Sequence, residues 1–404
     1  MTYLQLFVVL CLPITGLCYA TLGAIKLSLS QRLKLDEAKV GGLISAFGFM
    51  VGPVILLCGA LSDAYGRKPV WMVGSALVGI SFLIFAKARR YGLAVLATIL
   101  LAAGWTAMIN VANPVMGNTF PGNQFASMNF GDAMFGAGAF LCPILVAVLR
   151  RKLGFEKGIG LIAVLAFIPL ILAAVPQSVS GLDMGGGELK GDLAAAFAGF
   201  RELANDKTIW LLGLTLMCWV VIESGTAGWA STLVKESAPQ DEPVERSERI
   251  AAAALSAFWL CFMGSRLVAA LLLHAVEDQS HLVATTQVLQ LIIAVLAVLT
   301  MLGLVVSRSR KLVVPLVVFA GLLCGPFFPN LIAQLFTHLG ARGEMGYAGR
   351  AIGMLFACAS VGWTLLPTAM GFVARRKGIR RAFLLPAAVG VVMAVLILIN
   401  KITV

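Results

Sequence analysis

Asp132 and Glu223 are the only two of the chain's 19 acidic residues that fall well inside apolar runs. A carboxylate at bilayer depth is costly unless it takes up a proton, binds a cation or pairs with a base. Both are therefore candidates for ion coupling, with a structural pair to Arg266 as the competing reading. Helical spacing gathers other polar groups into faces. Thr106, Asn110, Asn113 and Gly117 share one side of a helix, and Trp219, Glu223, Thr226 and Ala230 repeat that spacing. Asn129, Asp132 and Gly136 share another face, as do Trp259, Met263 and Arg266, and Phe327, Asn330 and Gln334. Amides and carboxylates beside indole rings suit a sugar, whose hydroxyls take paired hydrogen bonds while its C–H faces stack on aromatics. Interhelical hydrogen bonding is the alternative for each asparagine taken singly.

These faces must be carried by membrane-spanning helices. Of the 404 residues, 60% are hydrophobic and only 12% charged, far from the balance of a soluble domain. At about 20 residues per crossing, the apolar runs predict twelve spans with short loops. The first run lacks a basic leader segment and is too long for a cleaved signal, so it reads as span one. One long polar stretch, 176–207, contains Gly185-Gly186-Gly187 and divides the chain into 1–175 and 208–404, six spans each. The halves echo each other: Gly138-x4-Pro143 precedes Arg150-Arg151-Lys152, and Gly362-x4-Pro367 precedes Arg375-Arg376-Lys377. Duplication of a six-helix unit is the simplest reading.

Several chemistries find no support. All eight cysteines fall in predicted spans and read as small packing residues. The three histidines are scattered without metal-ligand spacing. No G-x-S-x-G, H-E-x-x-H or phosphate-cradling loop occurs, which argues against an enzyme, and no cofactor, metal or nucleic-acid partner is expected. The net charge of +12 reads as solvated basic collars at helix ends.

Between the second and third runs, Gly59 to Lys68 read G-A-L-S-D-A-Y-G-R-K. This pattern resembles the loop between spans two and three of the major facilitator superfamily. Gly59, Asp63, Gly66 and Arg67 are the expected gate, with Arg266 added as a deep cation. Gly66 allows a tight turn, and Asp63 is placed to meet a neighbouring helix N-terminus or to pair with Arg67 four residues on. Further segments are similar to the fucose:proton symporter-like branch: Asn113-Pro114 with Gly117-Asn118, Ser127-Met128-Asn129-Phe130 before Gly138, Glu223 with Gly228-Trp229, Phe258-Trp259 with Arg266, and Gly325-Pro326-Phe327-Phe328-Pro329-Asn330.

The resemblance implies an all-α membrane fold of twelve helices in two pseudo-symmetric six-helix bundles. It implies a monomeric transporter of the plasma (inner) membrane that imports a small polar solute by alternating access, a monosaccharide or related polyol above all. Asn110, Asn113, Asn129, Glu223, Trp229, Trp259, Asn330 and Gln334 are the expected substrate contacts, and Asp132 and Glu223 the ion-coupling candidates. Carboxylates that this branch carries in spans one and four are missing, the latter position being Ile109, so H⁺ and Na⁺ both stand as coupling ions. A drug or metabolite efflux antiporter and an organic-anion carrier are the rivals on the same fold. The antiporter signature wants paired glycines after Gly-Pro in span five, where this chain has Cys142-Pro143-Ile144-Leu145. An anion carrier needs a cationic cavity, to which Arg266 alone contributes. Most Lys and Arg fall in the odd-numbered loops. Charge bias therefore favours the opposite orientation from the cytoplasmic N-terminus that the resemblance implies.

Overall fold

In a lipid core every backbone polar group must be satisfied within the chain, so runs this apolar become helices. The computed structural model describes residues 3–35, 37–120, 122–175, 191–276 and 281–403, and among these it contains helices and no strand. Spans one to four are Tyr3–Leu33, Glu37–Tyr65, Arg67–Lys87 and Tyr91–Gly117. Eleven segments are long and apolar enough to cross a membrane, one of which, Gln124–Ala174, has 51 residues. It makes two crossings. Gly154 breaks it with φ 78, and beyond the turn Gly158 lies against the backbone of Leu149 and Arg150. The twelve predicted spans are thus present. Spans seven to nine are Lys207–Glu236, Val244–His274 and Leu282–Val306; span ten is interrupted between Arg310–Cys324 and Phe327–Ala341; span eleven is Ala348–Lys377, and span twelve runs from Ile379 to Thr403.

Packing follows the sequence echo. Span five lies along span one and span eleven along span seven, while spans two and four match spans eight and ten. Glycine makes these approaches possible: a side chain on Gly138 would fall 1.7 Å from the Pro13 carbonyl oxygen of span one, and one on Gly362 would fall 3.0 Å from that of Met217 in span seven. The two bundles meet along two seams, span two against span eleven and span five against span eight. Large apolar side chains such as Leu271, Leu272, Ile171 and Val306 point outward, at 61–77% exposure, as a lipid-facing surface requires.

Side-chain caps mark where helices emerge from the apolar layer. Asn123 accepts from the Ala126 amide at the start of span five, and Asp206 from the Thr208 amide at the start of span seven. The predicted linker at 176–207 is described only from residue 191, so Gly185-Gly186-Gly187 lie outside the described residues. Its second part forms a helix, Leu193–Ala204, capped by Asp192 and packed against spans two and eleven. All eight cysteines are free thiols.

Candidate functional site

Gly66, at φ 93, turns the chain sharply between spans two and three and leaves Asp63 on the last turn of span two. Asp63 meets the N-terminus of span eleven. One carboxylate oxygen accepts from the Gly349 amide at 3.2 Å, and the other accepts from the Arg350 amide at 3.1 Å and from Arg350 Nε at 2.7 Å. Both residues are 1% exposed. The arrangement joins a helix N-terminus, which favours an anion, to a buried ion pair across the bundles. Arg350 also donates through Nη1 to the Ala196 carbonyl of the linker helix, at 3.2 Å, and lies over the Tyr347 ring. Gly59 keeps the seam tight, since a side chain there would fall 2.6 Å from the Gly349 oxygen. The ion-pair partner of Asp63 is therefore Arg350, not the Arg67 expected from sequence; Arg67 is buried at the head of span three.

The five expected substrate amides belong to this same sealed end. Asn110 donates to the Gly349 carbonyl at 2.9 Å, and Asn129 donates to the Asn330 side-chain oxygen at 2.7 Å across the second seam. Gln334 donates to Gln290 at 2.8 Å within its own bundle. Asn113 is tied to the Ile109 carbonyl of its own helix. None of Asn110, Asn113, Asn129, Asn330 and Gln334 lines the cavity described next, and neither does Trp229, which faces Gly371 of span eleven. The helical spacing that put these residues on shared faces holds. What the spacing leaves open is depth, because a face runs the whole length of a span.

Above the seal lies a cavity of about 660 Å³ between the bundles. Its walls are aromatic, with Tyr19, Trp105, Trp219, Trp259 and Trp363 among them, and Asp132, Glu223 and Arg266 are its charged groups. At ~1.5 Å per residue, Asp132 and Arg266 both sit ~12 Å from the sealed-side ends of spans five and eight, and so at matched depth. Towards the opposite face the lining residues Tyr19 and Ile144 are 39% and 55% exposed, and Gly23 and Ser256 are exposed with them. The molecule is thus closed on the side of the Gly59–Lys68 loop and open on the other.

Proline chemistry fixes Arg266. Pro329 has no N–H, so the Gly325 carbonyl four residues earlier has no helical donor. Arg266 Nε supplies one at 2.8 Å, Nη1 donates to the Asp132 carbonyl at 3.4 Å, and the guanidinium rests on the Phe262 ring. Nη2 stands 3.9 Å from Asp132 Oδ2, an ion pair too long for a hydrogen bond. Arg266 accordingly belongs to the cavity floor and not to the gate loop. Glu223, from span seven, is half-buried and lines the same cavity.

The chain matches the Major Facilitator Superfamily over residues 8–348. It belongs to that superfamily. It is 25% identical over 176 residues to the inner membrane transport protein YdiN of Escherichia coli and 28% identical over 193 residues to YajR of the same organism, stretches covering 41% and 47% of this chain. The matches span only 40% and 42% of those relatives' lengths. The fold is shared end to end with the crystal structure of the E. coli fucose:proton symporter FucP, at a TM-score of 0.72, 18% identity and 99% coverage of both chains. The chain's spans and its family make it a multi-pass membrane protein of a transporter superfamily.

Several residues escaped the sequence reading. Arg350 begins an apolar run, and Asp63 is far from it in sequence; its one signal is Tyr347-Ala-Gly-Arg350, an imperfect copy of Tyr65-Gly-Arg67. Tyr19, Trp105 and Trp363 were passed over because an isolated aromatic in a span reads as packing. Beside the seal, Asp206 accepts from His338 and from Arg342, each at 2.7 Å. Burial pushes its carboxyl up, but the hydrogen bond and charge of His338, the Thr208 amide and the Arg342 guanidinium outweigh this and hold it below the usual carboxylate range. No group of His, Cys, Asp and Glu able to hold a metal occurs among the described residues.

Proposed function

We propose that the chain is a secondary active transporter of the plasma membrane. In this reading it imports a small polar solute, a monosaccharide or related polyol, by alternating access of the bundles 1–175 and 208–404. The observation that carries it is the composition of the cavity: indole and phenol walls for the C–H faces of a ring, with two carboxylates and one guanidinium for its hydroxyls. The sealed end supports alternation, since its contacts are specific, buried and made across the bundles. Glu223 is assigned the coupling role, because Asp132 has a cation 3.9 Å away whereas Glu223 makes no ion pair among the described contacts. H⁺ or Na⁺ serves as its partner, and the monomer is the working unit.

The test is transport by the Glu223→Gln variant in proteoliposomes. It should exchange labelled sugar at equal concentrations on both sides yet fail to accumulate it against a gradient. Accumulation equal to the parent's would remove Glu223 from the coupling role. Efflux of an organic cation is the second reading, favoured by the predominantly aromatic walls and by carboxylates outnumbering guanidinium in the cavity. An organic-anion carrier is the least supported, since that same balance repels anions.

A further inference from the structure

We propose that Asp132 and Arg266 form a fork for two adjacent hydroxyls of the solute. The inference rests on the polyol reading of the cavity and goes further by naming which groups read which part of the molecule. Asp132 Oδ2 is buried in a residue 5% exposed and has no hydrogen-bond partner. Leaving such an acceptor unpaired in the interior is unfavourable, the more so for a charged group. Arg266 is held from behind by Gly325, Phe262 and the Asp132 backbone. It therefore cannot swing to close the 3.9 Å gap without giving up those contacts. The carboxylate and the guanidinium thus belong to residues that line one cavity side by side, too far apart to satisfy each other.

The gap selects its ligand by elimination. A lone ammonium placed there meets the guanidinium, and a lone carboxylate meets Asp132 with Glu223 on the same cavity. A hydroxyl is both donor and acceptor. Of two hydroxyls on neighbouring carbons, one donates to the Asp132 carboxylate and the other accepts from the Arg266 guanidinium, each at ~2.8 Å and each charge-assisted. The pair stays neutral overall, and the ring carrying it lies against the indole walls.

The purified full-length protein is first tested for binding of D-glucose, D-xylose, L-fucose and myo-inositol by thermal shift and by quenching of its tryptophan fluorescence. Monodeoxy derivatives of whichever sugar binds are then titrated against the parent, Asp132→Asn and Arg266→Lys. Loss of a charge-assisted hydrogen bond, about 1.5–3 kcal/mol, corresponds to roughly 10- to 150-fold in affinity. The fork predicts that removing either hydroxyl of one vicinal pair weakens binding to the parent at least tenfold, and that Asp132→Asn cancels most of that penalty. If a sugar binds but every monodeoxy derivative binds the parent equally well, or both variants bind like the parent, the fork is wrong and the polyol reading stands. If no sugar binds while tetraphenylphosphonium does, both are wrong. The deoxy series on the parent decides the matter even where a variant fails to fold.

Discussion

Replacing Asp63 by Asn removes the charge that Arg350 is buried against while keeping the shape of the side chain. In the sealed state both groups are 1% exposed and 2.7 Å apart, so the guanidinium would be left in the seam with an amide oxygen as its partner. Removing one member of a buried ion pair costs about 3–5 kcal/mol. In the opened state Arg350 gains water, so that cost falls on the sealed state alone. Every 1.4 kcal/mol is tenfold, and the seal should open roughly a hundredfold to several thousandfold more often. Hydrogen exchange followed by mass spectrometry on the protein in nanodiscs reads this directly, at 57–67, 193–204 and 345–353. Arg350→Gln should give a loss of similar size. The double variant Asp63→Asn/Arg350→Gln should be milder than the sum of the two, because no unpaired charge remains. Protection within threefold of the parent in both single variants, or losses that simply add, would refute the assignment of this pair as the lock.

Two further substitutions test the elements around that lock. Gly199 of the linker helix lies under Arg350, and a side chain there would fall 1.7 Å from Nη1, so Gly199→Ala should displace the guanidinium from the Ala196 carbonyl and speed exchange at 193–204 at least tenfold; slower exchange would mean that the better helix propensity of Ala, about 1 kcal/mol, outweighs a dispensable contact. Asp206→Asn should lower the melting temperature near neutral pH; because the Asp206 carboxyl is held below its unfolded value of about 4, its contribution is complete above that pH and lost as pH falls through the native value, so the melting gap between parent and variant should close in acid, and a gap independent of pH would contradict the ionic brace to His338 and Arg342.

The helices were legible because lipid imposes one rule on the whole chain: apolar runs of sufficient length become spans. The Gly138 and Gly362 echo pointed to duplication; the structure adds what the two glycines do, span five closing on span one and span eleven on span seven, because close backbone approach requires glycine at matching depth. The gate was half legible. Asp63 was expected at a helix N-terminus, and it sits on that of span eleven, but its cationic partner lies 287 residues away in sequence. Local spacing favoured Arg67 because only neighbours are visible to it. For the amides, periodicity gives the angle around a helix axis and says nothing of which neighbour is met at a given height. Asn129 and Asn330 do face the opposite bundle, yet they do so below the cavity, where they bond to each other.

That placement gives the cavity a physical hold on the seal. Asp132 stands in the first bundle and Arg266 in the second, on the two helices of the span five and span eight seam. Gly136, one turn above Asp132, faces Met263, and one turn below it Asn129 bonds to Asn330 of span ten. A ligand that engages both Asp132 and Arg266 therefore bridges the bundles at the top of the closed seam instead of resting in one of them. Its binding energy then depends on the separation of the bundles, which is the requirement for a ligand to shift a two-state equilibrium at all. A solute held by one bundle alone, on the Trp219 and Trp259 walls for instance, has no such leverage. With the fork as proposed, the floor of the cavity, and not its larger aromatic surface, is where recognition and movement meet.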